Sequence, residues 1–483
     1  MSDGAGCVPG APGEGDRQTV VVIGGGFTGA VVAHQLARRA PARFRIVVVE
    51  PRSALGGGVA YSTADPAHRI NVPASRMSFV PSDPCHFERW LKADGALVED
   101  PEAVTPDGRA FPRRQVFGRY AAETMEPYLL AGAIEHRRDR AVSVDRSADG
   151  GCVVHLAGGE AVAASFVVLA ATHPAPAAPA AFDAVLGDPR LIPDTQDRAA
   201  LDALSPDARL LIVGTGLTMA DIVASLERRG HRGPIVAVSR RGLLSRGHAD
   251  RPGEFGAFDR QPARTALELL VRIRRTVEAA GASDIPWQHV LDAARNQGRA
   301  LWTALPESER RKVVRRLRTF WDVHRFRVAP QVEAAIARLR ASGQLEVFAG
   351  EPVSARAGVE GLEVAIRRRR GATETVAFDA VALATGPAHR GICDADPLMR
   401  RLAAAGLVTS DRLRLGVATD ELSRALGPDG APSGLIWIAG PLARATFGEL
   451  MGLPEVARHA EFVACETLRA ADAAFQVEVR AVA

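Results

Sequence analysis

Three glycines near the N-terminus have the spacing of a phosphate-binding turn. Gly24, Gly26 and Gly29 follow an apolar run at residues 19–23 and precede a helix-like run at residues 30–39. In such a unit the first glycine permits a tight turn, the second lets a pyrophosphate approach the backbone, and the third allows close packing of helix on strand. The N–H groups at the positive end of the helix then hold the anion. The predicted chemistry is therefore the binding of a dinucleotide.

An acidic residue completes this unit. A second apolar run, residues 45–49, ends in Glu50. The order strand, turn, helix, strand is that of a right-handed βαβ unit, and a carboxylate at the end of its second strand can accept both hydroxyls of a ribose. The alternative, a glycine-rich turn of purely structural use, leaves Glu50 unexplained.

The same order of strand, glycine turn, helix and strand occurs a second time. An apolar run at residues 209–213 leads into Gly214 and Gly216, and a helix-like stretch extends to residue 229. A small residue, Ala220, stands close to the place of the third glycine, which is an allowed variation. Two dinucleotide-binding units in one chain are much more specific than a single one.

The second unit differs from the first at the end of its second strand. Residues 234–239 end in Ser239, and Arg240 and Arg241 follow in place of an acid. Guanidinium groups favour the 2′-phosphate of NADPH, whereas an acid would accept the ribose hydroxyls of NADH. The alternative is a solvated arginine face, since arginine is common in this chain.

Composition excludes several classes of protein. Apolar residues make up 47% of the 483 residues, and the formal charge of +4 comes from 60 basic and 56 acidic residues, without the basic patch of a nucleic-acid-binding protein. No 18-residue apolar run predicts a spanning helix, and the first 17 residues lack the apolar core of a signal peptide. The five cysteines are scattered and never form a Cys-x-x-Cys pair. We therefore expect a cytoplasmic protein with no nucleic-acid partner, no membrane partner and no metal site.

Further motifs occur in a characteristic order along the chain. They are residues 57–62 (GGVAYS), 69–77 (RINVPASRM), 117–120 (FGRY), 239–242 (SRRG) and 321–325 (WDVHR). With the two glycine turns, they make the chain resemble bacterial FAD–NAD(P)-binding flavoproteins with two dinucleotide domains, which are related to N-hydroxylating and Baeyer–Villiger flavin monooxygenases. The resemblance implies FAD in the first unit, NADPH in the second, and a segment at residues 57–77 that wraps the isoalloxazine.

The resemblance also implies an Ala-Thr-Gly turn at each crossing between the two nucleotide domains. The second crossing, at residues 384–386, has this turn. The first crossing departs from it, because Ala171 and Thr172 are followed by His173. We expect this departure to change loop detail rather than FAD binding.

The predicted architecture is α/β, with two Rossmann-like dinucleotide-binding domains, one for FAD and one for NADPH, and a helical insertion. The insertion follows from apolar residues at three- and four-residue spacing. It is a candidate substrate lid, or else a purely architectural layer. The predicted boundaries are a flexible tail at 1–17, an FAD-binding domain at 18–175 and 388–483, an NADPH-binding domain at 206–255 and 343–387, and the insertion at 256–342.

The residues predicted to contact FAD are Gly24, Gly26, Phe27, Thr28, Gly29, Glu50, Pro51, Gly58, Tyr61, Asn71, Val72, Met77, Val142, Gly440 and Pro454. Those predicted to contact NADPH are Gly214, Gly216, Leu217, Thr218, Ser239, Arg240 and Arg241. Pro454 is expected to be the first residue of a helix over residues 454–469. The positive end of that helix would face the flavin pyrimidine, unless it is an ordinary capped surface helix.

Within the group, residues 440–444 (GPLAR) and 451–455 (MGLPE) resemble aspartate N-monooxygenases that form nitrosuccinate in natural-product pathways. Arginine pairs with carboxylates in bidentate fashion, which suits a dicarboxylic amino acid. The residues predicted to act on the substrate are Arg69, Arg76, Arg444 and His248, with His324 and Arg325 as weaker candidates. A single histidine is more often structural than catalytic.

Three functions are consistent with this pattern. The first is an NADPH- and O2-dependent N-hydroxylase of a small-molecule amine or amino acid, with L-aspartate favoured. The second is another NADPH:FAD oxidoreductase or an S- or C-oxygenating monooxygenase, although the Baeyer–Villiger signature F-x-G-x-x-x-H-x-x-x-W is absent as a unit. The third is a non-enzymatic flavin redox module. A homo-oligomer is left open, and the missing Cys-x-x-Cys pair argues against a disulfide reductase.

Overall fold

The computed structural model describes residues 17–148, 150–171, 176–195, 197–386 and 391–482. The first domain crossing at Thr172 and His173 therefore lies outside the described residues, as does most of the predicted N-terminal tail.

The strands are, in chain order, β1 (Gln18–Ile23), β2 (Phe44–Val49), β3 (Glu135–Arg137), β4 (Ala141–Arg146), β5 (Cys152–Leu156), β6 (Ala161–Ala164), β7 (Phe166–Leu169), β8 (Leu191–Ile192), β9 (Leu210–Val213), β10 (Ile235–Ser239), β11 (Leu345–Ala357), β12 (Leu362–Arg368), β13 (Thr373–Phe378), β14 (Ala380–Leu383), β15 (Arg424–Leu426) and β16 (Pro432–Ile438).

The α-helices are α1 (Phe27–Arg39), α2 (Gly58–Tyr61), α3 (His86–Asp94), α4 (Ala96–Glu99), α5 (Arg114–Leu130), α6 (Arg198–Asp202), α7 (Leu217–Arg228), α8 (Ala266–Gly281), α9 (Trp287–Asn296), α10 (Gly298–Ala304), α11 (Glu307–Lys312), α12 (Arg318–Arg325), α13 (Pro330–Ala341), α14 (Ile392–Ala395), α15 (Pro397–Ala404), α16 (Arg444–Phe447) and α17 (Leu453–Val482). Short 3₁₀ turns occur at Ala74–Arg76, Pro101–Ala103, Ala180–Val185 and Gly440–Ala443, and a π-helical turn at Val313–Leu317.

The first sheet has the strand order β15-β16-β7-β1-β2-β3. Strand β1 lies between β2 and β7 and is parallel to both. Its side chains are buried on both faces: Val20 and Val22 pack into a core shared with α1 and α17, whereas Val21 and Ile23 pack against the small sheet β4-β5-β6. Burial on both faces explains why β1 is a continuous apolar run and not an alternating one.

The second sheet has the order β13-β12-β11-β10-β9-β14-β8. Strands β8, β14, β9, β10 and the start of β11 are parallel, and β11, β12 and β13 continue the sheet as an antiparallel meander. The predicted α/β architecture with two parallel nucleotide-binding sheets is therefore confirmed.

Strand order reverses beside β1 and beside β9, and ligands of open α/β sheets bind at such switch points, outside the carboxyl ends of the strands.

Residues 256–342 contain helices α8 to α13. Phe258, Val290 and Leu301 belong to a small core of this segment, separate from the cores of the two sheets. The amphipathic pattern of α8, α9, α10 and α12 is thus explained by this local core, whereas α13 packs its apolar face on the larger core shared with the sheets.

Some element boundaries differ from the prediction. The largely apolar run at residues 376–384 favours a single strand, but the structure has two strands here, β13 and β14, which part at Asp379, where the backbone N–H bonds to the Arg209 carbonyl oxygen. The C-terminal helix begins at Leu453, so Pro454 is its second residue and not its first. Within the described ranges, no helix combines the length and the apolar character needed to cross a membrane.

Candidate functional site

The two glycine turns have the same construction. Gly24 has φ +98°, and a Cβ at this position would lie 2.6 Å from the carbonyl oxygen of Ala170, just after β7. Gly214 has φ +125°, and a Cβ there would lie 2.1 Å from the carbonyl oxygen of Ala384, just after β14. In both units the turn therefore passes so close to the neighbouring strand that only glycine fits.

The first helix of each unit begins without a side-chain cap. Gly26 precedes α1 and Gly216 precedes α7, and neither helix receives a hydrogen bond from a capping side chain. The first-turn amides of Phe27 and Thr28 in α1, and of Leu217 and Thr218 in α7, thus face the carboxyl edge of their sheets. Uncapped N–H groups at this edge can bind a pyrophosphate.

The second glycine of each turn leaves room for the pyrophosphate of a dinucleotide. A Cβ on Gly26 would lie 3.3 Å from Cα of Gly58, so the two glycines face each other with no side chain between them. A Cβ on Gly216 would have no atom within 4 Å. The residues present therefore fit a dinucleotide in each unit.

Glu50 lies at the end of β2 and is only 4% exposed. Its Oε2 accepts the Gly25 N–H at 2.9 Å, and its Oε1 accepts both the backbone N–H and Nη1 of Arg52, at 3.1 and 2.9 Å. A carboxylate has about four acceptor positions, so roughly one is left for a ribose hydroxyl. Accepting both hydroxyls, as predicted from the sequence, requires the half-exposed Arg52 side chain to move away.

The C-terminal Gly-Pro turn contacts the first nucleotide helix. A Cβ on Gly440 would lie 2.7 Å from Cγ2 of Thr28. The Gly440 N–H donates to Nδ1 of His459 at 3.0 Å, and His459 Nε2 lies 3.3 Å from the Ser423 hydroxyl. Burial lowers the pKa of His459 to about 3, so this histidine is neutral and holds the turn against α1.

The segment predicted to wrap the flavin lies along the same edge. Tyr61 packs on Phe117, with ring centroids 4.5 Å apart, and Gly56 donates to the Gly25 carbonyl oxygen at 2.8 Å. Met77 is buried, and the Asn71 carbonyl oxygen accepts Nε2–H of His248 at 3.0 Å.

The remaining predicted FAD ligands are spread more widely. Val72 is half-buried, and Pro51 is exposed beside Glu50. Val142 lies in β4, a different sheet, and its carbonyl oxygen accepts Nη1 of Arg401 at 3.3 Å. Pro454 is half-buried at the start of α17. All four stay predictions.

The second unit presents two arginines at the end of β10. The Ser239 hydroxyl hydrogen-bonds the Thr215 hydroxyl at 2.8 Å and accepts the Gly242 N–H at 3.0 Å, so it holds the turn together. Arg240 is exposed and Arg241 is half-buried. Neither makes an ion pair with any described residue, so both guanidinium groups remain available to a phosphate.

A buried arginine–carboxylate cluster joins the helical segment to the C-terminal region. Arg295 Nη2 lies 2.7 Å from Oε2 of Glu455, Arg325 Nη2 lies 2.6 Å from Oε1 of Glu449, and Arg327 Nη1 lies 2.9 Å from Oδ2 of Asp292. With Arg76, the cluster contains Arg76, Asp292, Arg295, Arg325, Arg327, Glu449 and Glu455.

Arg76 is the least compensated cation of this cluster. Its Nη1 lies 3.9 Å from Asp292 Oδ2, the oxygen that Arg327 already binds at 2.9 Å. Burial, and then the charge of Arg295, lower the pKa of Arg76. Four guanidinium groups thus face three carboxylates, which leaves a positive site for an anion.

Arg444 is a second incompletely compensated cation, and it forms no ion pair with any described residue. It is 5% exposed, its Nε donates to the Leu415 carbonyl oxygen at 3.2 Å, and its Nη2 is buried with no hydrogen-bond partner among the described residues. Burial, and then the charge of Arg318, lower its pKa to about 10, so it stays charged at neutral pH. A buried, unpaired guanidinium is costly unless an anion binds to it.

Arg69 and His248, both predicted to act on the substrate, have other partners in the structure. Arg69 is 5% exposed, and its guanidinium forms a bidentate pair with Asp100 at 2.8 and 3.0 Å, so it has no room for a substrate carboxylate. Burial lowers the pKa of His248 to about 4, and its Nε2–H is bonded to Asn71. Such a weak base is poorly matched to proton transfer at neutral pH, so His248 connects two segments instead.

Sequence reasoning missed the other members of the cluster. Asp292 and Arg295 are three positions apart in α9 and so share a face, but Arg295 and Glu455 are 160 positions apart. Only one signal was available, the acidic residue at the third position of α17. His324 donates to its own helix, at the Phe320 carbonyl oxygen 2.7 Å away, while Arg325 does belong to the cluster.

One sequence family matches the N-terminal part of the chain. Residues 21–174 match a sequence-family model described as FAD-NAD(P)-binding. None of the curated protein sequences compared with the chain matches it.

Three solved structures share the fold over most of the chain. L-lysine 6-monooxygenase from Pseudomonas syringae is 19% identical, with a TM-score of 0.65, covering 94% of this chain and 100% of that one. Ornithine N-hydroxylase from Kutzneria sp. 744, with reduced FAD, NADP+ and L-ornithine, is 17% identical, with a TM-score of 0.62, covering 94% and 99%. The FAD-bound cadaverine monooxygenase of Erwinia amylovora is 12% identical, with a TM-score of 0.58, covering 93% and 94%. Residues 21–174 are an FAD–NAD(P)-binding domain, and the chain has the fold of flavoproteins with two dinucleotide-binding units.

Proposed function

We propose that this protein is an FAD- and NADPH-dependent monooxygenase that hydroxylates the amino nitrogen of a small amino acid, with L-aspartate as the favoured substrate. The observation that carries the proposal is the pairing of two nucleotide-binding turns with a buried, positively charged site between the helical segment and α17. The fold shared with the lysine, ornithine and cadaverine monooxygenases supports it.

Each of the two nucleotide-binding units is assigned one cofactor, according to the residues that follow its second strand. Glu50 in the first unit suits the ribose of FAD, while Arg240 and Arg241 in the second unit suit the 2′-phosphate of NADPH. The chemistry that FAD would supply is the two-electron activation of O2 with electrons from NADPH, one oxygen atom going to the substrate nitrogen and the other to water.

The charged site supports an acidic substrate. L-aspartate has two carboxylates, and the structure has two incompletely compensated guanidinium groups, Arg76 and Arg444. We propose that each of these arginines binds one carboxylate, which positions the amino group for reaction. Burial of Arg444 and partial burial of Arg76 strengthen this binding because fewer water molecules compete for the charge.

The test is NADPH consumption in air by the FAD-loaded full chain, with and without L-aspartate, combined with mass spectrometry of the product and measurement of hydrogen peroxide. We expect L-aspartate to accelerate turnover and to yield a nitrogen-oxidised product. Equal rates with and without any amine would overturn the monooxygenase proposal. Stimulation by L-ornithine or L-lysine but not by L-aspartate would overturn the substrate assignment alone.

A variant tests the roles of the arginines. Arg444→Met removes a charge-assisted hydrogen bond, and we expect the KM for L-aspartate to rise roughly 10- to 100-fold. The flavin content and the slow NADPH oxidation without substrate should stay unchanged. Arg338→Met, at an exposed ion pair with Glu227, is the matched control and should leave this KM unaltered.

A further inference from the structure

An arginine of the second nucleotide unit is stacked on an aromatic ring of the helical segment. The guanidinium carbon of Arg241 lies 4.7 Å from the centroid of the Phe320 ring. Phe320 lies in α12 and is 42% exposed, an unusual degree for a phenylalanine. Arg241 lies two residues after the end of β10, where a dinucleotide-binding unit places the adenosine ribose.

Backbone hydrogen bonds hold these two parts of the chain together. The Arg246 N–H donates to the Val323 carbonyl oxygen at 2.9 Å, and the Val328 N–H donates to the Arg246 carbonyl oxygen at 3.1 Å. The loop after β10 is therefore attached through both backbone groups of Arg246, to the last turn of α12 and to the residues that follow it. These bonds hold the loop that carries Arg241 next to the helix that carries Phe320, which keeps the two side chains in contact.

The stacked guanidinium still has groups to offer a ligand. One face of Arg241 is covered by Phe320, while its edge and second face make no ion pair with any residue the structure describes. A planar guanidinium of this kind can stack on a second aromatic ring and can donate to a phosphate through its edge. An adenosine 2′-phosphate presents both a purine ring and a phosphate to such a group.

We propose that Phe320 is a positioning residue for NADPH: it holds Arg241 so that the free guanidinium face lies against the adenine and the guanidinium edge meets the 2′-phosphate. The inference rests on the proposed use of NADPH. It assigns the helical segment a part in coenzyme recognition, in addition to its place beside the arginine–carboxylate cluster. Preference for NADPH over NADH then depends on a residue outside both nucleotide-binding sheets.

The test is isothermal titration of the FAD-loaded full chain with 2′,5′-ADP, using the wild type and the variants Phe320→Leu and Phe320→Tyr. We expect Phe320→Leu to weaken binding about three- to five-fold, while Phe320→Tyr, which keeps an aromatic face, binds like the wild type. In turnover, Phe320→Leu should raise the KM for NADPH with little change in kcat. A purely structural role would instead lower kcat and flavin content together.

Two further variants sharpen the result. In an Arg241→Ala background, Phe320→Leu should have no additional effect, because Phe320 acts through Arg241. Trp90→Leu removes the aromatic partner of Arg119, 5.4 Å away in the first unit, and should leave 2′,5′-ADP binding unchanged. Equal affinities of wild type and Phe320→Leu, or additive effects with Arg241→Ala, would overturn the inference and leave the proposed function intact. Failure of the wild type to bind 2′,5′-ADP would overturn the use of NADPH, and the inference with it.

Discussion

At the scale of single residues, His459 connects the C-terminal helix to the edge of the first sheet. It accepts the Gly440 N–H through Nδ1, so its proton is on Nε2, which faces the Ser423 hydroxyl. That hydroxyl in turn donates to the Ile438 carbonyl oxygen at 2.6 Å. A protonated imidazole cannot accept from Gly440, which makes the neutral form part of the folded state.

This arrangement predicts acid sensitivity. Burial lowers the pKa of His459 from 6.5 to about 3, so the unfolded chain binds a proton below pH 6.5 that the folded chain does not bind. The free energy of unfolding should therefore fall by about 1.4 kcal/mol per pH unit as the pH decreases from 6.5 towards 3. His34 and His248 act in the same direction, since burial lowers the pKa of each to about 4.

Urea unfolding of the wild type and of His459→Asn at several pH values between 7 and 4 measures this contribution. Asparagine keeps an acceptor for Gly440 but does not titrate, so the pH dependence should become shallower by about one proton. An unchanged slope would show that His459 is already protonated in the folded protein.

At the scale of elements, the two nucleotide helices pack on their sheets at different distances. A Cβ on Gly29 would lie 1.8 Å from the carbonyl oxygen of Gly24, so α1 lies directly against the turn that precedes it. The corresponding position in α7 is Met219, whose side chain is buried, so the second unit has room for a side chain where the first has none. The third glycine is therefore a requirement of the first unit only.

A matched pair of substitutions tests this difference. Gly29→Ala should push α1 away from β1 and strongly reduce the flavin bound per chain after purification, because overpacking of this kind costs about 1–3 kcal/mol or more. Met219→Leu, at the equivalent position of α7, keeps the side-chain volume and should leave the flavin content as in the wild type. Absorbance of bound flavin measures both, and full flavin content in Gly29→Ala would contradict the packing argument.

At the scale of the whole molecule, the arginine–carboxylate cluster joins parts of the chain that are distant in sequence. It brings together the segment after α2, helices α9 and α12, and the start of α17. The pKa of Glu455 is lowered, since Arg295 and Arg325 outweigh the burial that alone would raise it. The pair therefore contributes to stability at neutral pH and loses that contribution only in acid.

Removing one partner should destabilise the whole protein. Glu455→Gln leaves Arg295 with no close carboxylate partner in a buried site, and we expect the free energy of unfolding to fall by about 3–5 kcal/mol. The double variant Arg295→Met with Glu455→Met should recover part of this loss. Glu227→Gln, which breaks the surface pair with Arg338, is the control and should cost less than about 1 kcal/mol. Equal losses at both sites, measured by urea unfolding, would contradict the importance of burial.

Short-range patterns in the sequence are enough to predict the local units of this protein. The two glycine turns, the buried strands before them, Glu50 and the pair Arg240–Arg241 were all predicted from short-range patterns. Those patterns are reliable because backbone geometry at a tight turn and burial on both faces of a parallel strand restrict the choice of residue at each position. The arginines show the limit of such patterns. Arg69 and Arg76 lie in the same motif, and the sequence predicts a substrate role for both.

Only the tertiary structure separated these arginines, because what a guanidinium can do depends on its neighbours in space. Arg69 forms a bidentate pair with Asp100, whereas neither Arg76 nor Arg444 has a close carboxylate of its own among the residues that the structure describes. The contacts among Arg295, Glu455 and Arg325 join residues up to 160 positions apart, and no local pattern encodes them. The charge of the site was therefore decided by how the helical segment packs on α17, the step of folding that depends on the whole chain.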